Sequence, residues 1–503
     1  MVIGELPRHC ARRYPGKMAT VFKDRRLTFF QFNERVNRLC SVFRDHGINP
    51  GDKVAVLTKN CPETLEILFA AAKSGIIFVP INFRLVPAEL EFVINDAGID
   101  TLLWGEAFDK EIAAIKGNIS VRHIFSLAKD YEGLLAAASS KEPEIDCNPS
   151  DIFGIFYTSG TTGGPKGVML THDNFLSAAL NHIIAYQLGP ADVCMHVMPL
   201  YHTMEASMAV CQFYVGGTNV IVDAFDADEF WSLVDAENIT HITLVYPMLR
   251  DIIDTYKKGS YQRGSLRFFS IGGQTTPTQI LREAIETFGN GSVFVVYGLT
   301  EASPLLTYLS KDELVTEGDR SRLLGSVGKE LFSCHVRVVD ENDRDVAPGD
   351  LGEIIARGPN VMQGYWKREK ETDEALAGGW LRTGDVGTID VEGYIYIIDR
   401  KKELIISGGE NISPHEIEEV LYKHPAVAEC AVIGVPDEKW GEQPRAIIVL
   451  KEACQTTENE LIKFSRENLA AYKCPKSVLF VSALPKDPVG KIQKRLLKEQ
   501  YAK

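Results

Sequence analysis

The sequence has no apolar run long enough to cross a bilayer. Its best stretch, residues 67–83, is broken by Lys73, Gly75 and Pro80, which excludes a membrane helix of about 20 apolar residues. Glu5 and Pro7 stand where an apolar signal core would begin, so no secretory signal is expected. Paired cysteines are lacking too: the 10 cysteines are scattered without a CxxC spacing. In a long chain that pattern is expected of reduced thiols in a cytoplasmic protein. Positive charge is scarce, with 54 Lys plus Arg against 68 Asp plus Glu and a formal net charge of −14. A broad basic face for nucleic acid or anionic membrane is thereby excluded. Internal repeats and low-complexity linkers do not occur. What is there is 503 residues, 45% hydrophobic and 24% charged, a globular composition sufficient for two or three packed units.

Helical and strand periodicities alternate through most of the chain. Thr28 opens a helix in which Phe32, Val36, Leu39 and Phe43 share one face, and Gly47 ends it. Lys53–Leu57 then reads as a buried strand, followed by a helix over Pro62–Lys73, a strand over 76–79, a helix over Pro87–Ala97 and a strand over Thr101–Trp104. Further strands are predicted over 242–246, 268–271 and 293–296, with Ile280, Leu281, Ala284, Ile285 and Phe288 marking a helix before the last. This alternation predicts an α/β fold of mostly parallel sheets covered by helices. From Ser326 the pattern changes to short strands between glycines such as Gly349, Gly352, Gly358, Gly364 and Gly393, which predicts a small antiparallel or barrel-like sheet. After Asp399, Arg400, Lys401 and Lys402, a helix over 414–423, strands over 431–435 and 445–450 and a helix over 458–469 predict a small α+β domain. The expected organisation is an N-terminal domain at 1–398, a hinge at 399–402 and a mobile C-terminal domain at 403–503.

The strongest local feature is YTSGTTGGPKGVMLTH at residues 157–172. Thr158, Ser159, Thr161 and Thr162 are interleaved with Gly160, Gly163, Gly164 and Gly167, and Lys166 adds a positive charge. Chain without Cβ atoms folds into a concave nest of N–H donors, and hydroxyls and an ammonium extend it. Such a loop cradles phosphate oxygens. It is not a Walker loop, because Pro165 and Gly167 occupy the positions of that motif's second glycine and its Ser/Thr.

Four more segments follow it: VYGLTEAS at 296–303, WLRTGDVG at 380–387, DRKKELIISGGENISPHEIE at 399–418 and LPKDPVGKIQK at 484–494. Together, and in this order, they resemble the adenylate-forming superfamily of acyl-CoA synthetases, 4-coumarate-type ligases, luciferases and peptide-synthetase adenylation domains. The resemblance implies an AMP-forming acid–CoA ligase, which joins a carboxylate to AMP with loss of pyrophosphate and then passes the acyl group to CoA. A carboxylate is a poor electrophile, so this chemistry needs a pyrophosphate nest, a metal, a cation at the α-phosphate, and adenine and ribose pockets.

The resemblance assigns each part. Thr158, Ser159, Gly160, Thr161, Thr162, Gly163 and Lys166 would hold the terminal phosphates. Thr300 would donate to the α-phosphate, and Glu301 with Thr158 would hold Mg²⁺, a hard ion suited to oxygen ligands. Tyr297 and Gly298 would lie against adenine, with Gly273 and Gln274 in the adjoining wall. Asp385 would accept from the ribose hydroxyls, with Arg400 beside it. Lys491 would be the catalytic cation, brought to the α-phosphate when the C-terminal domain closes, and Lys402 would be the hinge position. Gly408, Gly409 and Trp440 would border the CoA path. His202, in PLYHT, would gate the acid. Taken singly, these residues read as a surface acid, a buried tyrosine, a core histidine and a solvated lysine; the motifs around them carry the functional reading.

The expected ligands are a small carboxylic acid, ATP, Mg²⁺ and CoA, with no nucleic acid; homodimerisation is left open. The expected acid is a fatty acid of medium or longer chain. The alternatives are an aryl or alicyclic acid, or an acyl-adenylate passed to a carrier protein. A peptide-synthetase role is disfavoured, because Leu200, Tyr201 and His202 follow Pro199 where an aspartate for an amino group would stand, and nine residues follow Lys494. Gln274 departs from the small apolar residue usual after the glycine pair and sets an amide at the acyl wall.

Overall fold

The computed structural model describes every residue except 159–164, 275, 401–402, 408–409, 438–439, 453, 472, 487–490 and 503, and the side chains of 410 and 411. Helix Phe29–Asp45 begins where the sequence predicts. Thr28 Oγ1 accepts the Gln31 N–H at 3.2 Å and the Gln31 side chain accepts the Thr28 N–H at 2.9 Å, a reciprocal cap that satisfies two otherwise orphaned donors. Its Phe32, Val36, Leu39 and Phe43 are buried. Strand Lys53–Leu57 and helices Pro62–Lys73 and Pro87–Ala97 also have their expected bounds.

Among the described residues the strands form four sheets. The first runs, edge to edge, through strands Lys329–Glu330, Thr307–Leu309, Val293–Tyr297, Phe268–Ile271, His241–Leu244, Val193–His196, Thr218–Ile221, Met18–Phe22 and Arg25–Thr28. Its interior pairings are parallel and its edges antiparallel. The second runs through Gly364–Tyr365, Lys166–Thr171, Ile152–Thr158, Ile77–Pro80, Lys53–Leu57, Thr101–Trp104 and His123–Ser126, parallel except where its first three strands meet. The third is antiparallel, His335–Val339, Gly352–Arg357, Leu381–Ile389 and Ile395–Arg400, as the glycine-punctuated pattern predicts. The fourth belongs to the C-terminal region: Glu410–Ile412, Ile405–Ser407, Gly441–Leu450 and Val427–Asp437, with Ser477–Phe480 paired in parallel to Gly441–Leu450. Helix Pro414–Tyr422 and helix Glu458–Asn468 contribute Ile417, Leu421 and Leu461 to a core of its own.

Three predicted boundaries shift. The strand expected over 242–246 ends at Leu244, because Tyr246 opens helix Tyr246–Lys258 with Pro247 in its first turn. Proline fits a helix start and cannot donate to a strand ladder. The strands expected over 431–435 and 445–450 are parts of the long hairpin Val427–Asp437 and Gly441–Leu450. Asp399 and Arg400, expected in the hinge, complete strand Ile395–Arg400 of the third sheet. Lys402 lies outside the described residues.

Candidate active site

Ligands of open α/β sheets gather at the carboxyl ends of parallel strands, and the candidate residues follow those ends. His202 comes after strand Val193–His196, Gly273 and Gln274 after Phe268–Ile271, and Gly298, Thr300 and Glu301 after Val293–Tyr297. Thr158 ends strand Ile152–Thr158 of the second sheet and lies opposite Lys166. Asp385 and Arg400 pair directly across the third sheet.

Asp385 is the hub of one end of the site. Its Oδ2 accepts the Tyr297 hydroxyl at 2.7 Å and its Oδ1 receives Arg400 Nε at 2.7 Å, so both oxygens of the expected ribose acceptor have a protein partner. Burial pushes this carboxyl above the usual carboxylate range, opposed by Arg400, the Tyr297 hydroxyl and the charge of Lys491. Burial, with Asp385 beside it, holds the Tyr297 phenol well above its ordinary value, so it is a donor. Exposed Lys491, from the C-terminal region, lines the same cavity of about 200 Å³ as Tyr297, Gly298, Asp385, Gly273 and Gln274. Gly298 has no alternative residue: a Cβ there would stand 2.0 Å from the Pro304 carbonyl oxygen.

The phosphate end lies on the hairpin of Ile152–Thr158 and Lys166–Thr171. Thr158 Oγ1 reaches the Lys166 carbonyl at 3.5 Å; Ser159, Gly160, Thr161, Thr162 and Gly163 lie outside the described residues. Glu301 sits on the short turn Thr300–Ala302, and its Oε1 accepts the Tyr365 hydroxyl at 2.8 Å. Lys166 Nζ stands 5.1 Å from the centre of the Tyr365 ring, within cation–π range. No cluster of three or more His, Cys, Asp or Glu occurs among the described residues, so they build no all-protein metal cage. The single carboxylate of Glu301 fits Mg²⁺ instead, which takes few protein ligands and completes its shell with phosphates and water.

At the acid end, His202 caps the amino end of helix Thr203–Val215. Its ring centre is 4.3 Å from that of Tyr201, whose ring meets Phe83 edge-on at 5.4 Å. Burial, with Arg84 nearby, lowers the His202 imidazole to about 4, so it is neutral at pH 7. His202 Nε2 and Gln274 Nε2 are both buried with no hydrogen-bond partner among the described residues.

On the C-terminal region, Trp440 is half exposed and its backbone N–H donates to Asp437 Oδ1 at 2.8 Å. Gly441 pairs with Ser407, which pairs with Glu410. Trp440 therefore borders the hairpin that carries Gly408 and Gly409, themselves outside the described residues. Contacts that join this region to the large body include the Tyr246 and Tyr422 hydroxyls, 3.0 Å apart, Glu419, which accepts from Thr278 N and Oγ1 at 3.2 and 3.0 Å, and Ser413 Oγ, which donates to the Ile398 carbonyl at 2.8 Å. Lys494, the last residue of its motif, is not in reserve for chemistry: Glu418 holds it at 2.9 Å, and that carboxylate and its neighbours raise it above its ordinary value against burial.

Sequence reasoning missed Tyr365, Glu418, Glu419 and the Tyr246–Tyr422 contact. Only the first had a local signal, in Gly364, Tyr365 and Trp366 after a glycine-rich stretch.

Residues 7–366 match the family described as AMP-binding enzyme, and residues 416–491 match its C-terminal domain. A feruloyl-CoA synthase from an Amycolatopsis species is 36% identical over 502 residues, covering 99% of each chain. The structure of o-succinylbenzoate CoA synthetase from Bacillus subtilis, in complex with its acyl-adenylate intermediate, is 32% identical with a TM-score of 0.88 and 98% coverage of both chains. A fatty acyl CoA synthetase from Mycobacterium tuberculosis is 33% identical with a TM-score of 0.79, covering 100% of this chain and 98% of the other.

Proposed function

The chain belongs to the AMP-binding enzyme family and is an AMP-forming acid–CoA ligase, and from that premise we propose that its acid is an aryl carboxylic acid bearing a polar substituent. The observation that carries this reading is the pair of buried, unpartnered atoms Gln274 Nε2 and His202 Nε2. A linear fatty chain would leave both unpaired, at about 1–3 kcal/mol each, whereas a ring hydroxyl or carbonyl satisfies one or both. The Tyr201 and His202 rings, tilted at 42° to each other, with Phe83 edge-on to Tyr201, offer aromatic surface. The feruloyl and succinylbenzoate relatives support it as well. The fatty-acid reading is the alternative and keeps the support of the mycobacterial relative.

In this reading the hairpin loop with Lys166 cradles the terminal phosphates, and Glu301 with Thr158 would hold Mg²⁺, which would supply charge to neutralise the phosphates. An oxygen of the acid attacks the α-phosphorus while the bond to pyrophosphate breaks. Lys491 and Thr300 stabilise the charge that grows there, and Asp385, Arg400, Tyr297 and Gly298 orient the nucleoside. The C-terminal domain, 403–503, then turns on residues 399–402 against the body, 1–398. The face with Gly408, Gly409 and Trp440 admits CoA; its sulfur bonds to the acyl carbon as AMP departs. Ten free cysteines support a reducing, cytoplasmic setting.

Pyrophosphate release and CoA-thioester formation over a panel of hydroxyaryl, plain aryl, alicyclic and linear acids tests the proposal. A hydroxyaryl acid is expected to exceed a linear acid in kcat/KM by about tenfold or more, as one satisfied buried polar group implies. Preference for a linear chain overturns it.

A further inference from the structure

Tyr365 reaches two parts of the proposed phosphate–metal corner at once. Its hydroxyl donates to Glu301 Oε1 at 2.8 Å, and its ring lies under the Lys166 ammonium at 5.1 Å. The phenol has little freedom to do otherwise. Gly364 and Tyr365 pair with Met169 and Val168, and the flanking Gln363 and Trp366 N–H groups donate to Met169 and Gly167 carbonyls at 3.0 and 2.8 Å. The chain just before it grips Glu301 a second time, since Met362 N–H donates to the Glu301 carbonyl at 2.8 Å. Backbone and carboxylate of Glu301 are thus both fixed by residues 362–365.

A carboxylate with one oxygen engaged by a fixed phenol presents the other to a metal. We propose that Tyr365 is a positioning residue that holds Glu301 to one-oxygen metal binding and so favours Mg²⁺ over larger divalent cations. The inference rests on the reading that Glu301 holds the metal. Mg²⁺ demands near-octahedral geometry and takes single carboxylate oxygens, whereas Ca²⁺ tolerates more ligands and two-oxygen carboxylates. Releasing Oε1 would let Glu301 clasp a larger ion with both oxygens.

Tyr365→Phe keeps the ring, the strand pairing and the Lys166 contact and removes only the hydroxyl. Calorimetric binding of a non-hydrolysable ATP analogue, with Mg²⁺, with Ca²⁺ and without metal, gives a readout independent of turnover. The expected result is a fall of about tenfold in the Mg²⁺-to-Ca²⁺ affinity ratio, the size of one charge-assisted hydrogen bond, with metal-free affinity unchanged. A ratio within about twofold of the parent, or an equal loss with and without metal, overturns the inference. Glu301→Gln separates the two claims. If it leaves the metal dependence of analogue binding intact, the metal reading itself fails; if it abolishes that dependence while Tyr365→Phe leaves the ratio unmoved, only the role of Tyr365 fails.

Discussion

The two ends of the site are held together differently. The phosphate hairpin is woven into one sheet: Ile152–Thr158 pairs with Lys166–Thr171, which pairs with Gly364–Tyr365, and Glu301, which follows a strand of the first sheet, is bonded to it by Tyr365 and Met362. The nucleotide–lysine end is assembled across a joint. Asp385 and Arg400 come from the third sheet of the body, Lys491 from the C-terminal region, and the described side-chain bonds across the joint include Tyr246–Tyr422 and Thr278–Glu419. A strand ladder opens only with the packing around it, whereas side-chain bonds worth about 0.5–1.5 kcal/mol each can be exchanged within a catalytic cycle. In the proposed cycle, groups that stay registered are woven and the group that arrives and leaves is latched.

Removing the latched cation should have the largest effect. Lys491→Ala is expected to slow acyl-adenylate formation by about 10²–10³-fold, the usual loss for a preorganised electrostatic group. CoA attack on supplied acyl-adenylate should stay within a few-fold of the parent. Equal loss in both half-reactions, followed by rapid quench, would erase the contrast between the two ends.

The latch itself comes next. Glu419→Ala, which leaves Thr278 N and Oγ1 without this acceptor, is expected to change the ratio of the two half-reaction rates by about three- to tenfold, as loss of one or two hydrogen bonds predicts. A change in thermal midpoint with no change in that ratio would make the contact structural only.

A third test sharpens the contrast through pH. His172 and His182 are buried in the body and lowered by that burial from 6.5 to about 4; His172 Nδ1 accepts the Ile3 N–H at 3.3 Å, which requires a neutral ring nitrogen. The unfolded chain binds protons below pH 6.5 that the folded body refuses, so stability is fully present above that value. It falls with pH until about 4. The expected slope approaches about 1.4 kcal/mol per pH unit for each ring, read from urea midpoints between pH 7 and 5. His182→Phe should remove up to about 1.4 kcal/mol per pH unit from it, and an unchanged slope would refute the assignment. The smallest effect belongs to Tyr246→Phe, expected to cost about 1 kcal/mol or less, visible as a modest shift in the same half-reaction ratio.

Much of this was legible in the sequence where chemistry is local. The Thr28 cap and the apolar faces of the first helices depend on neighbours within a turn or two. Tyr246 was misread as strand because Leu244 and Val245 continue an apolar run, and only Pro247 marks the helix start. Tyr297 was expected against adenine on the strength of its motif. Its bond to Asp385 crosses 88 positions, and no periodicity reports such a pairing. Tyr365 was missed for the same reason: its significance lies in Glu301, 64 positions away.

The sheets of the body also have a history during synthesis. Strand Met18–Phe22 pairs with Thr218–Ile221, about 200 positions later, and Lys166–Thr171 must wait for Gly364–Tyr365. At about 5–20 residues per second on the ribosome, each strand stands unpaired on one side for roughly 10–40 s. Such edges invite chaperones or wrong partners. A nascent chain that stops short of Gly364 carries a phosphate hairpin with an open edge and a Glu301 without its phenol. The corner proposed to hold the metal is therefore among the last parts of the body to form, and it closes only when the chain is nearly three-quarters made.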